Sequence, residues 1–466
     1  MNIEKSDIEN IIRKIVGEMS SGVPKEASST LGLFDDMNDA IEAAVIGQKE
    51  LMNCSMAEKS AFIDAIRQDL LIEENLLKIS ELGVKETGMG KYEHKIIKNK
   101  LAIEKTPGVE DLKTEAMAGD DGLTLVELSP YGVIGSITPT TNPSETIICN
   151  TIGMIASGNA VVFSPHPRAR ETSFKTIEVI NKALKRAGAP DNLVVTVKSP
   201  SIENANIMMN HEKIKMLVAT GGPGVVKSVL STGKKAIGAG AGNPPAVVDE
   251  TADIEKAAQD IVNGSSFDNN LPCIAEKEVI AVDSIADYLI FNMKKNGAYE
   301  LTDQDKINKL RQLVITDKGT PVTEFVGKDA SYLLERIGIN AKDVKVIIFE
   351  AEKDDLFVIE ELMMPILPVV RVKDVDEAID FAVIAERGNR HTAIMHSKNV
   401  DKLTEMARRI QTTIFIKNGP SYAGIGVGGE GYTTFTIAGP TGEGLTSART
   451  FSRSRRCVLV GGFHIK

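Results

Sequence analysis

The chain reads as an α/β protein built on parallel sheets, and two stretches carry that reading. Across residues 133–237, short apolar runs alternate with amphipathic segments of helical period. After Asn243-Pro244-Pro245 the alternation starts again and runs to residue 416. Repeated strand–helix–strand units of this kind form parallel sheets with helices over both faces. The length, 466 residues, gives room for two or three domains with sizeable cores.

Taken in order, residues 3–19 form an amphipathic helix candidate, with Ile8, Ile11, Ile12, Ile15, Val16 and Met19 on one face. Residues 20–33 follow as a linker that begins rich in Ser, Gly and Pro. A helix this short is marginal alone. It either docks on its own body or serves as a docking peptide for another protein. Helical spacing then predicts helices over 36–51, 56–70 and 73–86, and another near 94–104. In the middle third, strands are expected at 133–137, 160–163, 193–197, 215–218 and 235–237. Helices at 145–156, 169–187, 202–209 and 224–230 separate them. The second unit has strands at 277–282, 344–349, 368–372, 392–395 and 413–416, with helices at 374–386 and 400–410. The tail ends in a short strand, 457–460.

Composition narrows the function. Lys+Arg 54 against Asp+Glu 64 gives a formal net charge of −10, which argues against a nucleic-acid-binding surface. No apolar run reaches membrane-spanning length, and the N-terminus lacks the layout of a signal peptide. A cytoplasmic setting is expected. Cys54, Cys149, Cys273 and Cys457 lie far apart, so neither a disulfide framework nor a zinc site is indicated. The six histidines show no metal-ligand spacing either. No metal is expected.

Chemistry concentrates in the stretch Phe267-Asp268-Asn269-Asn270-Leu271-Pro272-Cys273-Ile274-Ala275. Its polar residues and Pro272 predict a loop, and a strand follows. A thiol there would be rigidly held yet reachable, although a lone cysteine is more often a small buried hydrophobe. In parallel sheets, ligands bind outside the carboxyl ends of the strands. Three polar or glycine-rich stretches should sit there: Thr138-Pro139-Thr140-Thr141-Asn142-Pro143-Ser144, Ser164-Pro165-His166-Pro167 and Thr220-Gly221-Gly222-Pro223-Gly224. The third precedes a helix and suits a phosphate, but alone it could be a turn made only for geometry.

Together these stretches, with Gly240-Ala241-Gly242-Asn243-Pro244-Pro245 and Glu360-Glu361-Leu362-Met363-Met364-Pro365, resemble the aldehyde dehydrogenase superfamily from about residue 34 onward. The resemblance is closest to its CoA-acylating branch, the acetaldehyde and propionaldehyde dehydrogenases of bacterial microcompartments. It implies an NAD/CoA-binding domain over 34–111 and 130–243 and a catalytic domain over 244–439. It also implies an oligomerisation arm from 112–129 and 440–466, hence a homo-oligomer. It makes Cys273 the nucleophile, with the Asn142 amide and the Cys273 backbone N–H holding the oxyanion. NAD is the implied cofactor and coenzyme A the co-substrate. Thr138, Pro139, Thr140, Ser164, Pro165, His166, Thr220, Gly221, Gly222 and Glu361 are the implied cofactor-binding residues, Glu361 at the nicotinamide ribose.

One absence is informative. Hydrolytic members of the family carry a glutamate base in the segment matching Gly238-Ala239-Gly240-Ala241-Gly242-Asn243, which here is small and uncharged. Water needs such a base far more than a thiol with a pKa of about 8.5 does. The resemblance therefore implies oxidation of a short-chain aldehyde, acetaldehyde or propionaldehyde, to an acyl-CoA. A hydrolytic enzyme and a CoA-acylating succinate-semialdehyde dehydrogenase are the alternatives. His391 is a candidate to orient the thioester or CoA, or a packed structural histidine. The helix at 1–19 would be an encapsulation helix for a microcompartment shell protein.

Overall fold

A computed structural model describes residues 31–465. The expected helix at 3–19 and the linker as far as residue 30 lie outside the described residues.

Six parallel strands form the first sheet, in the order Leu33–Phe34, Val194–Val197, Ala160–Pro165, Val133–Thr138, Ile214–Thr220 and Lys235–Ala239. Leu33 pairs with Thr196, so the linker expected to reach residue 33 ends sooner. Gly32, at φ +86, turns the chain onto the sheet edge. From Val133–Thr138 the chain moves outward to Ala160–Pro165 and Val194–Val197, then returns on the other side as Ile214–Thr220. That reversal opens a crevice at the carboxyl ends of Val133–Thr138 and Ile214–Thr220. The helix Pro143–Ala156 starts beside it and is buried at every position, its polar Ser144, Glu145, Thr146, Asn150 and Thr151 included.

The second sheet has seven parallel strands, in the order Ala298–Glu300, Val346–Glu350, Ile366–Val372, Glu278–Val282, Pro245–Val248, Thr392–His396 and Ile414–Lys417. Pro245–Val248 is only four residues long, yet it is fully buried and central. The sequence reading passed over it, and also over Ala298–Glu300 and the helices Ile254–Ser266, Asp283–Lys295, Gln304–Val314 and Ala330–Arg336. Between the sheets, residues 240–244 lead from the end of Lys235–Ala239 directly into Pro245–Val248.

The two segments expected to share a β arm do pair. Gly122–Pro130 runs antiparallel to Ser452–Val460 along its whole length, with Glu115–Gly119 on its other side. No helix among the described residues is long and apolar enough to cross a membrane.

Candidate active site

Cys273 follows the helix Ile254–Ser266 and a tight turn, and it precedes the strand Glu278–Val282. The turn contains three successive left-handed residues, Asp268, Asn269 and Asn270, at φ 49, 56 and 64. Asp and Asn tolerate that region best after Gly, because their short polar side chains bond locally. Each is held. Asn270 Nδ2 donates to Ser265 O and Glu276 O, and its Oδ1 accepts from Lys277 Nζ at 2.6 Å. Asn269 Nδ2 donates to Gly327 O and Asp329 Oδ1. Asp268 Oδ1 accepts the Lys91 N–H at 2.8 Å. The Asp-Asn-Asn run thus serves backbone geometry, and it delivers Cys273 half-buried at the end of a pinned loop.

The segment between the sheets packs against this loop. A Cβ on Gly242 would fall 2.7 Å from Cys273 O and 2.9 Å from His391 Cγ, so any larger residue there must displace one of them. Asn243 Nδ2 anchors the segment to Val358 O and Ala385 O, both at 2.9 Å. His391 is buried, its Nδ1 is 2.8 Å from Thr392 Oγ1, and its Nε2 has no partner. Burial, and then the Lys277 charge, push the imidazole down to about 3, so it is neutral in ordinary buffers.

Three charges or potential charges meet around Cys273. Burial, and then the Glu361 carboxylate, push the Cys273 thiol up to about 12, against the opposing pull of Lys277. Glu361 is itself raised by burial, with Lys277 and the Gly242 amide opposing. Its Oε1 is buried without a partner. Lys277, lowered by burial, was not singled out from the sequence, where a lysine after Glu276 looks like ordinary surface charge.

Asn142 closes the loop after Val133–Thr138 and is buried. Its Oδ1 accepts from Lys98 Nζ at 2.5 Å. Lys98 and Lys95, one helical turn apart on Tyr92–Lys105, both form ion pairs with Asp268 Oδ2, at 2.6 and 3.0 Å. Neither lysine nor Asp268 was picked out as a site residue from the sequence.

The remaining expected residues lie along the carboxyl edge of the first sheet. Thr138 pairs with Pro165, and Ile137 with both Ser164 and Ala219, which gathers the three stretches at the crevice. Pro139 and Thr140 are half-buried beside them. His166 instead faces solvent, where its Nδ1 accepts the Arg168 N–H. A dinucleotide fits this edge. Nothing lies within 4 Å of a Cβ built on Gly221, Gly222 or Gly224, so backbone at the start of the helix Pro223–Leu230 is open to phosphate. The buried Thr138 Oγ1 lacks a partner.

Comparison with known proteins bears on this geometry. The model of the aldehyde dehydrogenase family matches residues 27–439. The chain belongs to the aldehyde dehydrogenase family. Within it, the chain is 50% identical over 463 residues to the CoA-propanoylating propanal dehydrogenase of Citrobacter freundii, covering 99% of each. It is 64% identical, at a TM-score of 0.92, to a Rhodopseudomonas palustris propionaldehyde dehydrogenase solved with bound CoA and an acylated cysteine, covering 93% of this chain and 99% of that one. A third aldehyde dehydrogenase is the propionaldehyde dehydrogenase from the Clostridium phytofermentans fucose utilisation bacterial microcompartment. It is 55% identical at a TM-score of 0.91, covering 93% of this chain and all of that one.

Proposed function

We propose that the protein oxidises a short-chain aldehyde, propionaldehyde foremost, to its acyl-CoA through a thioester on Cys273, with NAD as the hydride acceptor. The observation that carries this reading is Gly242. Residues 238–243 carry no ionisable side chain, and Gly242 packs so that a Cβ on it would stand 2.7 Å from Cys273 O, so this segment, which lies against Cys273, supplies no base to activate water against the thioester. The relatives support the acceptor, since one was solved with CoA and an acylated cysteine.

The chemistry follows from the residues. The Cys273 thiol, protonated at rest, loses its proton to solvent, and the thiolate so formed adds to the aldehyde carbon and gives a thiohemiacetal. The Asn142 Nδ2–H and the Cys273 backbone N–H receive the oxyanion. Its collapse restores the carbonyl and expels hydride, which leaves the acyl group on Cys273. Bound NAD supplies the hydride acceptor. The CoA thiolate then attacks the thioester carbonyl, and Cys273 leaves as thiolate. Glu361 holds ribose hydroxyls of the cofactor through its unpartnered oxygen, and Thr138, Pro139, Thr140, Ser164, Pro165, Thr220, Gly221 and Gly222 line its path. His391, a neutral imidazole with a free Nε2, orients the thioester or the incoming thiol.

NADH absorbance in the presence of propionaldehyde and CoA tests the reading. Cys273→Ala abolishes turnover while folding and NAD binding persist. A folded variant that kept a tenth of wild-type turnover would remove Cys273 from its role.

The β arm, exposed along Ser452–Val460, joins copies of the chain into a homo-oligomer. The stripe of Ile8, Ile11, Ile12, Ile15 and Val16 docks in a groove of a microcompartment shell protein. The Clostridium relative, which comes from such a compartment, supports this placement.

A further inference from the structure

We propose that Lys98 is a positioning residue for the oxyanion site: it fixes the orientation of the Asn142 amide and strengthens its N–H as a donor. The inference rests on the assignment of Asn142 as an oxyanion donor.

Geometry comes first. Lys98 Nζ lies 2.5 Å from Asn142 Oδ1, 2.6 Å from Asp268 Oδ2 and 3.0 Å from Glu145 Oε1. An ammonium has three protons and accepts nothing, so three oxygens around it leave no proton spare. The Asn142 atom facing it must therefore be the carbonyl oxygen. The amide nitrogen then points the other way, where its recorded contact is Thr141 Oγ1 at 3.2 Å. A cation against the carbonyl oxygen also draws electron density from the amide. This polarisation makes Nδ2–H a stronger donor toward an oxyanion than an unassisted asparagine would be.

The same cluster ties the two halves of the site together. Lys95, on the same helix face as Lys98, donates to Thr141 O at 2.7 Å and pairs with Asp268. Lys95 thus holds the backbone just before Asn142, while Lys98 holds its side chain. Asp268 lies five residues before Cys273, and its backbone N–H donates to His94 Nδ1 at 2.7 Å. The helix Tyr92–Lys105 therefore clamps the nucleophile loop and the Asn142 loop in one register. Gly90 makes room: a Cβ there would lie 2.2 Å from Asp268 Oδ1.

The setting separates this cluster from an ordinary surface ion pair. The Lys98, Asp268 and Glu145 side chains are completely buried, and Lys95 is 2% exposed. Burying ions is costly, and apolar residues of similar volume often serve stability as well. Four charges retained directly behind an oxyanion donor are better explained by the alignment and polarity they impose. Two lysines and two carboxylates balance in number, so what the cluster imposes is local to the atoms that each group faces.

A double-mutant cycle tests the inference. Lys98→Met with Glu145→Gln keeps charge balance, because Lys95 and Asp268 remain as a pair. Four enzymes are compared: wild type, Asn142→Ala, Lys98→Met/Glu145→Gln, and the combination of all three changes. The readouts are the thermal transition, aldehyde KM, and the single-turnover rate of NADH formation without CoA. Losing one oxyanion donor costs about 10²–10³ in rate. The Lys98 variant is expected to lose about tenfold to 10² of it, with aldehyde KM nearly unchanged. In the Asn142→Ala background, the same Lys98 change should alter the rate by no more than about twofold, since nothing is left to position. An equal loss in both backgrounds, or no loss with Asn142 intact, overturns the inference. If Asn142→Ala alone keeps its rate, the oxyanion assignment itself fails and this inference with it. Should Lys98→Met/Glu145→Gln not fold, Lys98→Arg carries the cycle. Its bulkier head group keeps the charge but shifts the surrounding oxygens, and a loss confined to the Asn142 background is again required.

Discussion

Gly242→Ala is the smallest change that touches the nucleophile without touching its chemistry. The added Cβ would stand 2.7 Å from Cys273 O, 2.9 Å from His391 Cγ and 3.2 Å from His391 Cβ. Ordinary contacts lie near ~3.5 Å, so the two walls are short of room by roughly 0.6–0.8 Å. One wall is backbone of the nucleophile loop, which Asn269, Asn270 and Lys277 pin by hydrogen bonds. The other is a buried imidazole. Neither yields freely, so overpacking should destabilise by about 1–3 kcal/mol. Displacing a reacting group by about 1 Å can cost on the order of 10² in rate, so a smaller shift should lower kcat by about ten- to a hundredfold. Denaturant unfolding gives the first quantity, and NADH formation with propionaldehyde and CoA gives the second. Gly240→Ala is the control for stability, since a Cβ there meets nothing within 4 Å. If Gly242→Ala unfolds at the wild-type midpoint and keeps wild-type kcat, the contact between the inter-sheet segment and Cys273 is misassigned.

Two further outcomes follow. The Glu361 charge raises the Cys273 thiol, so its removal must lower that thiol and enlarge the thiolate fraction at any given pH. In Glu361→Gln without NAD, alkylation of Cys273 by iodoacetamide should therefore be faster at pH 8, with its pH midpoint displaced downward. A midpoint at or above that of the wild type would detach Glu361 from the nucleophile. At the other end of the chain, deleting residues 1–30 should leave kcat and KM unchanged, while residues 1–19 fused to a fluorescent protein should enter shells. Loss of activity on deletion, or a fusion that stays diffuse in shell-forming cells, would make the helix part of the enzyme's own core.

The sequence was most legible where periodicity has one reading. Val133–Thr138 and Ala160–Pro165 are short apolar runs that become buried parallel strands, and the helix Val400–Ile410 has the bounds its spacing predicts. Pro245–Val248 was missed because four residues opening on a proline carry no period, although the strand is central once its neighbours flank it. The loop alone makes Cys273 only a candidate; the roles of Cys273, Asn142 and Glu361 come from the resemblance. Lys95 and Lys98 escaped notice for a physical reason. A lysine on a helix normally faces water. Only the fold brings these two against Asp268, which the sequence offers as one polar loop residue among three. Residues 238–243 read from the sequence as a segment without a base, and the structure adds that Gly242 within it packs against the Cys273 backbone.

The central claim is that the acyl group on Cys273 waits for a thiol. Mixing the enzyme with NAD and propionaldehyde, and no CoA, tests it most directly. The account predicts one NADH per active site, a stall, and a propionyl adduct on the Cys273 peptide by mass spectrometry that adding CoA discharges as propionyl-CoA. Steady NADH formation with release of propionate, at a rate matching the CoA-dependent one, would contradict it.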